Sequence, residues 1–392
     1  MQITVNQAVF AKNLSIVNRS TGVGGTLPIL ENILLEIDSD NSCIKATATN
    51  LAIFIKATIP AQFDLFENTS TTKSFLINGK QLVDFINTLP SNSEIKLTPN
   101  NLNGINLQCN KIKFQFPGMP VEQFPNVSEI PEPAKSSILF VPGEKLKDGL
   151  KQTLYIPDPK EVTPFRCSVL MDIFESEIRF VSTDGHRMAI RKIPVTNITK
   201  SQIMLPVNSI KKIVDLIIDD SVQLIFNEQK LFIISPDTVI GINLVAGNYP
   251  KYESVFNNGL AGNLLDNNNI SQISINADVL EKALRRASSI DDRALFIFKG
   301  DSSSINISGK STEGDLRTSD EDLDLIKNSE IGFEEVFNVK YMADYLKNID
   351  TDNVRLIYQK VKNKAVLIES GNKEDGVYQY LIMPIIVNKG VA

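Results

Sequence analysis

Six times along the chain, an extended apolar stretch gives way to a small or polar break and then to about three turns with apolar residues at helical spacing. In one set, Ile3 and Val5 lead into Phe10, Leu14 and Val17, Leu139 and Val141 into Leu146 and Leu150, and Ile273 and Ile275 into Leu280, Leu284 and Ala287. In the other, Ile77 leads into Leu82, Phe85, Ile86 and Leu89, Leu205 into Ile210, Ile213, Val214 and Ile217, and Phe337 into Met342, Tyr345, Leu346 and Ile349. The spacing predicts helices over 6–20, 78–89, 142–154, 206–218, 276–289 and 338–349. The first set recurs at offsets of 136 and 134 residues and the second at 128 and 132, so the chain reads as three similar domains of two half-domains each.

Between the helices the pattern is β. Asn32–Ile37, Ala52–Ile59, Val169–Phe174, Ile178–Ser182 and Met188–Ile193 are short, rich in β-branched residues and partly alternating. Asp184-Gly185 falls between two of these segments and signals a tight hairpin turn. Each half-domain is therefore expected to be one helix covering a small antiparallel sheet, which makes the fold class α+β. Pro117, Pro120, Pro125, Pro131 and Pro133 in Phe116–Lys135, and the Asn- and Gly-rich stretch Ala246–Gln272, read as linkers. They place domains at 1–128, 129–256 and 257–392.

The 392 residues suffice for three such cores, and 42% hydrophobic with 22% charged residues is the balance of a globular chain. No apolar run approaches the ~18 residues of a membrane span, and Met1-Gln2-Ile3-Thr4-Val5 lacks the regions of a signal peptide, so the expectation is a cytoplasmic protein away from membranes. Cys43, Cys109 and Cys167 are too far apart and too few for a disulfide framework or a zinc site, and read as small core residues. Catalytic signals are sparse. His186 is the only histidine; Asp184 is near it in sequence, but no nucleophile motif accompanies the pair. Gly22, Gly24 and Gly25 lack the phosphate-loop pattern. No catalytic residue, metal or cofactor is called for.

The formal net charge is -6, yet its distribution is uneven. The six predicted helices carry 13 Lys and Arg against 7 Asp and Glu, which leaves the excess of acid elsewhere. Lys12 and Arg19 are seven apart and share a face away from Phe10, Leu14 and Val17, and Lys212, Lys282 and Arg286 take similar positions, although Asp84, Asp148 and Asp344 dilute the effect. Such a surface suits weak, sequence-independent contact with phosphates.

Scattered motifs over nearly the whole chain carry a resemblance: Thr26-Leu27-Pro28-Ile29-Leu30 with Asn32, Phe124-Pro125-Asn126, Ser182-Thr183-Asp184-Gly185-His186-Arg187, Tyr249-Pro250, Phe337-Asn338-Val339 and Met383-Pro384. Together they resemble the beta subunit of bacterial DNA polymerase III, the DNA sliding clamps. The resemblance implies the DNA clamp fold, two copies closing head to tail into a ring around duplex DNA, helices inside and sheets outside, and a non-catalytic role as processivity factor. It implies a DNA-facing set of Lys12, Arg19, Lys80, Lys151, Lys160, Lys211, Lys212, Lys282, Arg285, Arg286 and Lys347, and a subunit boundary at Phe114, Ser289 and Ile290. It further implies a pocket for linear peptides of the replicative polymerase, the clamp loader, and repair and translesion polymerases. That pocket would comprise Arg166, Thr183, Gly185, His186, Arg187, Met188, Tyr249, Pro250, Val255, Leu381, Ile382, Met383, Pro384 and Ile385, with His186 and Arg187 as its polar rim.

The chain departs from the family pattern at Arg166, where an aliphatic pocket wall is usual, at Ser254 and Ile386, where basic residues are common, and in its tail Val387–Ala392, which would lie over the pocket or fray. Gly24 and Val207-Asn208 likewise replace basic residues on the DNA side. Two rival readings stay open at this point: an enzyme centred on Asp184 and His186, and an interaction scaffold of the same fold without a DNA function.

Overall fold

The computed structural model describes residues 2–22, 24–25, 27–64, 74–132, 137–196, 200–255, 270–310, 318–359, 363–372 and 376–386. The first repeat runs β1 (Gln2–Asn6), α1 (Gln7–Asn18), β2 (Asn32–Asp38), β3 (Cys43–Thr49), β4 (Ile53–Pro60), β5 (Gln62–Asp64), β6 (Ser74–Asn78), α2 (Gly79–Asn87), β7 (Glu94–Pro99), β8 (Ile105–Cys109) and β9 (Ile112–Phe116). The second runs β10 (Ser137–Pro142), α3 (Gly143–Lys151), β11 (Ser168–Ile173), β12 (Glu177–Thr183), β13 (Arg187–Pro194), β14 (Ser201–Pro206), α4 (Val207–Ile213), β15 (Ser221–Phe226), β16 (Lys230–Ile234) and β17 (Thr238–Asn243), followed by the single turn α5 (Tyr252–Ser254). The third runs β18 (Ile270–Asn276), α6 (Ala277–Ser288), β19 (Arg293–Phe298), β20 (Ser304–Lys310), β21 (Thr318–Asp324), β22 (Phe333–Asn338), α7 (Val339–Leu346), β23 (Asn353–Gln359), β24 (Val366–Asn372) and β25 (Gly376–Ile382).

The polar break that precedes each helix has a specific job in the outer repeats. Asn6, Asn78, Asn276 and Asn338 each end a strand and turn a side-chain oxygen onto the free N–H groups of the helix that follows. Each such cap contributes about 1 kcal/mol and marks where extended chain becomes helix. In the central repeat Pro142 and Pro206 hold this position. The helix expected over 206–218 is shorter than its pattern: it closes at Ile213 and tightens into a 3-10 turn, Val214–Leu216, which still buries Val214 and Ile217.

Each half-domain is a helix with antiparallel strands, with one refinement. The strand leading into a helix pairs with the meander of the other half: β1 with β7, β6 with β2, β10 with β15, β14 with β11, β18 with β23 and β22 with β19. The two halves of a repeat are thereby stitched together and neither could close its core alone. Under the helices the core is continuous, as where Leu280, Leu284 and Ala287 of α6 meet Met342, Tyr345 and Leu346 of α7 above Phe296, Phe337 and Tyr380.

The chain divides into two compact units, Met1–Glu144 with Lys211–Leu244, and Lys145–Ile210 with Val245–Ala392. In the first, the third meander strands β4 and β17 pair and make an eight-stranded sheet, β10-β15-β16-β17-β4-β3-β2-β6. In the second, β13 and β25 do the same in the sheet β14-β11-β12-β13-β25-β24-β23-β18. Two shorter sheets remain, β5-β1-β7-β8-β9 in the first unit and β21-β20-β19-β22 in the second.

The expected linkers are packed segments where they are described. Met119 bridges to Leu76, Phe124 is buried, and Val127 packs on the cluster of Phe54, Ile225 and Phe232. Residues 133–136 and 256–269 lie outside the described residues. Cys43 and Cys109 are buried as expected, whereas Cys167 is half-buried, because it ends a 3-10 turn where its thiol donates to the carbonyl of Pro164 at 3.3 Å. No helix among the described residues is long and apolar enough to cross a membrane.

At the seam between β17 and β4, Gly241 sits directly opposite Phe54 and the Phe54 ring lies across it, so that a Cβ at 241 would meet Phe54 Cε1 at 2.0 Å. Gly241→Val should therefore displace the ring and cost about 1–3 kcal/mol, read as a fall in the urea midpoint; an unchanged midpoint would show that the seam has slack.

Candidate functional site

Three surfaces carry the residues singled out from the sequence. The first is the outward face of the second unit's eight-stranded sheet, around the β12–β13 hairpin. Gly185 takes φ +93, which the turn requires and glycine alone adopts freely. Asp184 organises the tip: one carboxylate oxygen accepts the N–H groups of His186 (2.9 Å) and Arg187 (3.0 Å), and the other meets Arg187 Nε at 2.9 Å. The Thr183 hydroxyl donates to the Arg187 carbonyl (2.8 Å) and accepts from Gly185 N–H (3.1 Å). The Asp184 carboxylate is thus taken up in holding its own loop, which leaves His186 exposed and without an acid partner among the described residues.

Arg187 does not form an exposed polar rim. Its side chain is 8% exposed, reaching inward to Asp344 of α7 at 2.8 Å and to the Tyr380 hydroxyl at 3.4 Å, with the guanidinium 4.0 Å from the centre of the Tyr341 ring. It fixes the hairpin tip to the body of the unit. Ile382 also leaves the expected set. Neighbouring strand residues face opposite sides, so Leu381 joins the outward cluster while Ile382 joins the core beneath the helices.

The outward cluster is Leu170, Val181, Met188, Ile190, Met204, Leu367 and Leu381, with Val245, Tyr249 and Tyr252 laid over it. Val245 N–H donates to Met204 O at 2.9 Å, and the Tyr252 hydroxyl donates to buried Asp172 at 2.6 Å. Burial raises the Asp172 carboxyl above its ordinary range, although the Tyr252 bond opposes that shift. Leu170, Met204 and Tyr252 were missed in the sequence reading; alternation along β11 and β14, and the three-residue step from Tyr249 to Tyr252, were the available signals. Met383 N–H donates to the His186 carbonyl at 3.0 Å, which brings the half-exposed Met383 beside the tip, and Ile385 N–H donates to Val336 O at 2.7 Å. Pro384 is buried between them, while Pro250, Val255 and Ile386 are exposed. The tail 387–392 lies outside the described residues.

Arg166 lies on the 3-10 turn Pro164–Cys167 with its guanidinium against the backbone of Gly185, where a Cβ would stand 3.1 Å from a terminal nitrogen. Phe165 is edge-on to Tyr249, with ring centres 5.9 Å apart. Arg166 Nε and the Tyr249 hydroxyl are buried atoms with no hydrogen-bond partner among the described residues. Burial pushes the Tyr249 hydroxyl well above its ordinary range, so it stays a neutral donor.

The second surface is basic. In the first unit, α1 and the end of α4 come together: Arg19 donates to the Lys212 carbonyl at 3.4 Å, and Lys12 borders the groove that Leu216–Asp219 line from the other side. Lys12, Arg19, Lys211 and Lys212 are exposed there, and among the described residues none of them is in an ion pair. Lys80, Lys151, Lys160 and Lys347 are exposed at helix ends or in a loop. The α6 cations differ from the expectation of free positive charge. Lys282 meets Asp278 at 2.6 Å, Arg285 meets Glu281 at 2.7 Å, and Arg286 binds Glu321 with Nε at 2.9 Å, because residues four apart on a helix are neighbours and β21 is acidic. Gly24 has φ +61 in the loop after α1, and Val207 is buried at the start of α4.

The third surface is a pair of strand edges. Phe114 on β9 is 45% exposed, its ring tilted against those of Phe85 (centres 4.5 Å apart) and Phe116 (4.7 Å), and Ile112 nearby on the same strand is also exposed. Ser289 and Ile290 follow α6, whose last turn is tied to β21 by the Arg286–Glu321 pair.

A chain of paired helices and stitched antiparallel sheets, repeated three times, with a basic helix surface, has the architecture of the DNA clamps. Comparison with known proteins gives the family. Residues 1–128, 141–251 and 263–386 match the N-terminal, central and C-terminal domains of the DNA polymerase III beta subunit. The chain is 26% identical over 398 aligned residues to the beta sliding clamp of Staphylococcus aureus (strain Mu50 / ATCC 700699), covering 98% of this chain and 99% of the relative. Its fold matches the DNA polymerase sliding clamp of Pseudomonas aeruginosa (TM-score 0.85, 20% identity, 99% and 100% of the two chains) and the beta subunit from DNA polymerase of Streptococcus pyogenes (TM-score 0.85, 21%, 99% and 100%). The chain belongs to the DNA polymerase III beta subunit family. It is a sliding clamp, a non-catalytic processivity factor of that polymerase, and family membership implies binding to DNA and polymerase and homodimerisation.

Arg187→Met would leave Asp184 and the Tyr380 hydroxyl without their common partner, at an expected cost of about 2–3 kcal/mol, whereas His186→Ala should stay within about 0.5 kcal/mol. Urea denaturation of both variants checks this; equal midpoints would mean that Arg187 does not hold the tip.

Proposed function

We propose that two copies close around duplex DNA by pairing β9 of each copy with β21 of the other. The observation that carries this is a rule of the chain's own sheets. Third meander strands join third meander strands, β4 with β17 and β13 with β25, and among the described residues only β9 and β21 of that class are left at an edge. A second copy would extend the rule and cover both edges. Charge favours the match, since Lys111 precedes β9 and Lys113 lies on it, whereas β21 carries Asp320, Asp322 and Asp324. Phe114 and Ile290 form the apolar part of the boundary, with Ser289 beside Ile290 at the end of α6. Domains of 1–128, 129–256 and 257–392 agree with the matched stretches 1–128, 141–251 and 263–386.

Lys12, Arg19, Lys211 and Lys212 form the principal DNA contact on this reading, with Lys80, Lys151, Lys160 and Lys347 adding to it. The α6 cations contribute less because each is already paired. The outward face around Met188, Tyr249, Leu381 and Met383 takes short apolar-anchored peptides from the polymerase, the clamp loader and repair or translesion polymerases, in the cytoplasm. Arg187 acts there by holding the tip.

The topological part has a direct test. Protein assembled by a clamp loader on nicked circular duplex should stay bound through gel filtration and leave when the circle is cut; loss at the same rate from both forms would refute encirclement. Phe114→Asp with Ile290→Asp should weaken the dimer by more than about tenfold, since apolar area is replaced by charge. Sedimentation showing an unchanged dimer would remove these residues from the boundary. Replacing Lys12, Arg19, Lys211 and Lys212 by Ser should lower the salt slope of DNA binding by roughly 0.9 for each phosphate that is no longer neutralised, equally for unrelated sequences; a wild-type slope would rule out this surface.

A further inference from the structure

We infer that the first unit carries a second groove for linear peptides, on the outward face of its own eight-stranded sheet, and that this groove takes a carboxylate beside an apolar side chain. It rests on the peptide reading of the second unit for the class of partner, and on the first unit alone for the site. The two long sheets share one register. In the second unit Leu170, Val181 and Ile190 lie side by side across β11, β12 and β13, and Met188 faces Leu381 of β25. In the first unit Leu34, Thr47 and Lys56 lie side by side across β2, β3 and β4 in the same way, and Phe54 faces Gly241 of β17. The covering segments match as well. The chain after β17 lays Tyr249 and Tyr252 over one face, and the chain after β9 lays Val127 over the other.

The faces differ in the middle of the row, where Thr47 and Lys56 stand in place of Val181 and Ile190. Between the sheet and residues 121–130 lies a groove of about 500 Å³ whose lining includes both. Thr47 is 1% exposed, and its hydroxyl is buried with no hydrogen-bond partner among the described residues. Lys56, half-buried opposite it, is in no ion pair among the described residues. Glu36 also lines the groove, but it sits opposite Lys45 on β3, which is itself bound to Asp38 at 2.6 Å. An unpaired buried hydroxyl beside a partly desolvated ammonium is costly. A carboxylate would accept from both. Leu34 and Val239 on the sheet and Ile130 on the covering segment, 43% exposed, offer apolar contact on either side. The covering segment is tied down without a ligand, by the bridge of Met119 to Leu76 and by Lys230 donating to the Ser128 hydroxyl. A purely apolar peptide would bury Thr47 and Lys56 further without pairing them, so the groove should discriminate against it.

The test probes the full-length protein with an array of acetylated, amidated pentapeptides of Leu, Phe and Ala, each carrying one Glu, beside the same peptides with Gln. A subset of the Glu peptides should be retained about tenfold more strongly than their Gln twins, the scale of a charge-assisted hydrogen bond at a half-buried site. Lys56→Met should remove that preference and Lys56→Arg should keep it. Thr47→Val, which restores the residue type of the other unit, should weaken the preference severalfold while holding the urea midpoint at or above that of the wild type. Carbodiimide activation of the best Glu peptide should give an amide at Lys56 Nζ, located by mass spectrometry of the digest. Equal retention of every Glu and Gln twin overturns the inference, and so does a preference that survives Lys56→Met with no adduct at Lys56. Peptides that bind in either of those ways but are lost with Met383→Asp would sit on the second unit's face, so the reading of that face would stand while this one falls. Failure of every peptide to bind overturns both.

Discussion

Unpaired strand edges are the constraint on which this molecule turns. Every meander has a third strand whose backbone N–H and C=O groups must find partners, and leaving them bare costs stability and invites aggregation. Inside the chain the solution is to place one third strand against another, which builds the two eight-stranded sheets and ties each outer repeat to half of the central one. Exchange of the leading strands does the same job within a repeat. The proposed dimer applies the same solution to β9 and β21, so that assembly continues the fold. Exposed Phe114 and Ile112 are a liability on a free edge, whereas the carboxylates of β21 protect theirs, and the proposed pairing would cover both.

The outward face of the second unit is made rigid without being made wholly apolar. Asp184 folds the hairpin tip, Arg187 anchors that tip to Asp344 and Tyr380, and the tip's own carbonyl holds the segment that carries Met383. A buried cation is stabilised only when surrounded by acceptors and ring faces, and Arg187 has both. Its value to the proposed peptide site is therefore positional. Arg166, less than half of whose side chain is exposed, has only a loose contact with Glu161 at 3.9 Å and the Phe165 ring at 5.8 Å.

Electrostatics on the helices is mild in its physical effect. An overall charge of -6 disfavours casual adhesion to nucleic acid, and local pairing on α6 removes part of the positive charge that its sequence offers. What stays free is concentrated where α1 meets the end of α4. A surface of that kind binds phosphates without reading bases and lets go readily, which suits a processivity factor that must move along its track.

The sequence by itself determined the repeat, the six helices and the α+β class, because apolar periodicity is local and is decided within about ten residues, and its scattered motifs carried the resemblance to the family. The resemblance also grouped Gly185, His186, Met188, Tyr249, Leu381 and Met383, and the structure places Met188 opposite Leu381 and ties Met383 to the carbonyl of His186. Only the tertiary structure decided which strand pairs with which, since leading-strand exchange and third-strand pairing join segments far apart along the chain with no local signature. It moved Arg187 from the rim to the interior and Ile382 to the far side of the sheet, as burial and strand alternation are settled only once a neighbour such as Asp344 or Leu381 is in place. It also neutralised Arg286 through Glu321, 35 residues away, and left Arg166 and Tyr249 with donors unspent. A residue's type limits the bonds it can make; whether a partner reaches it depends on the fold of the whole unit.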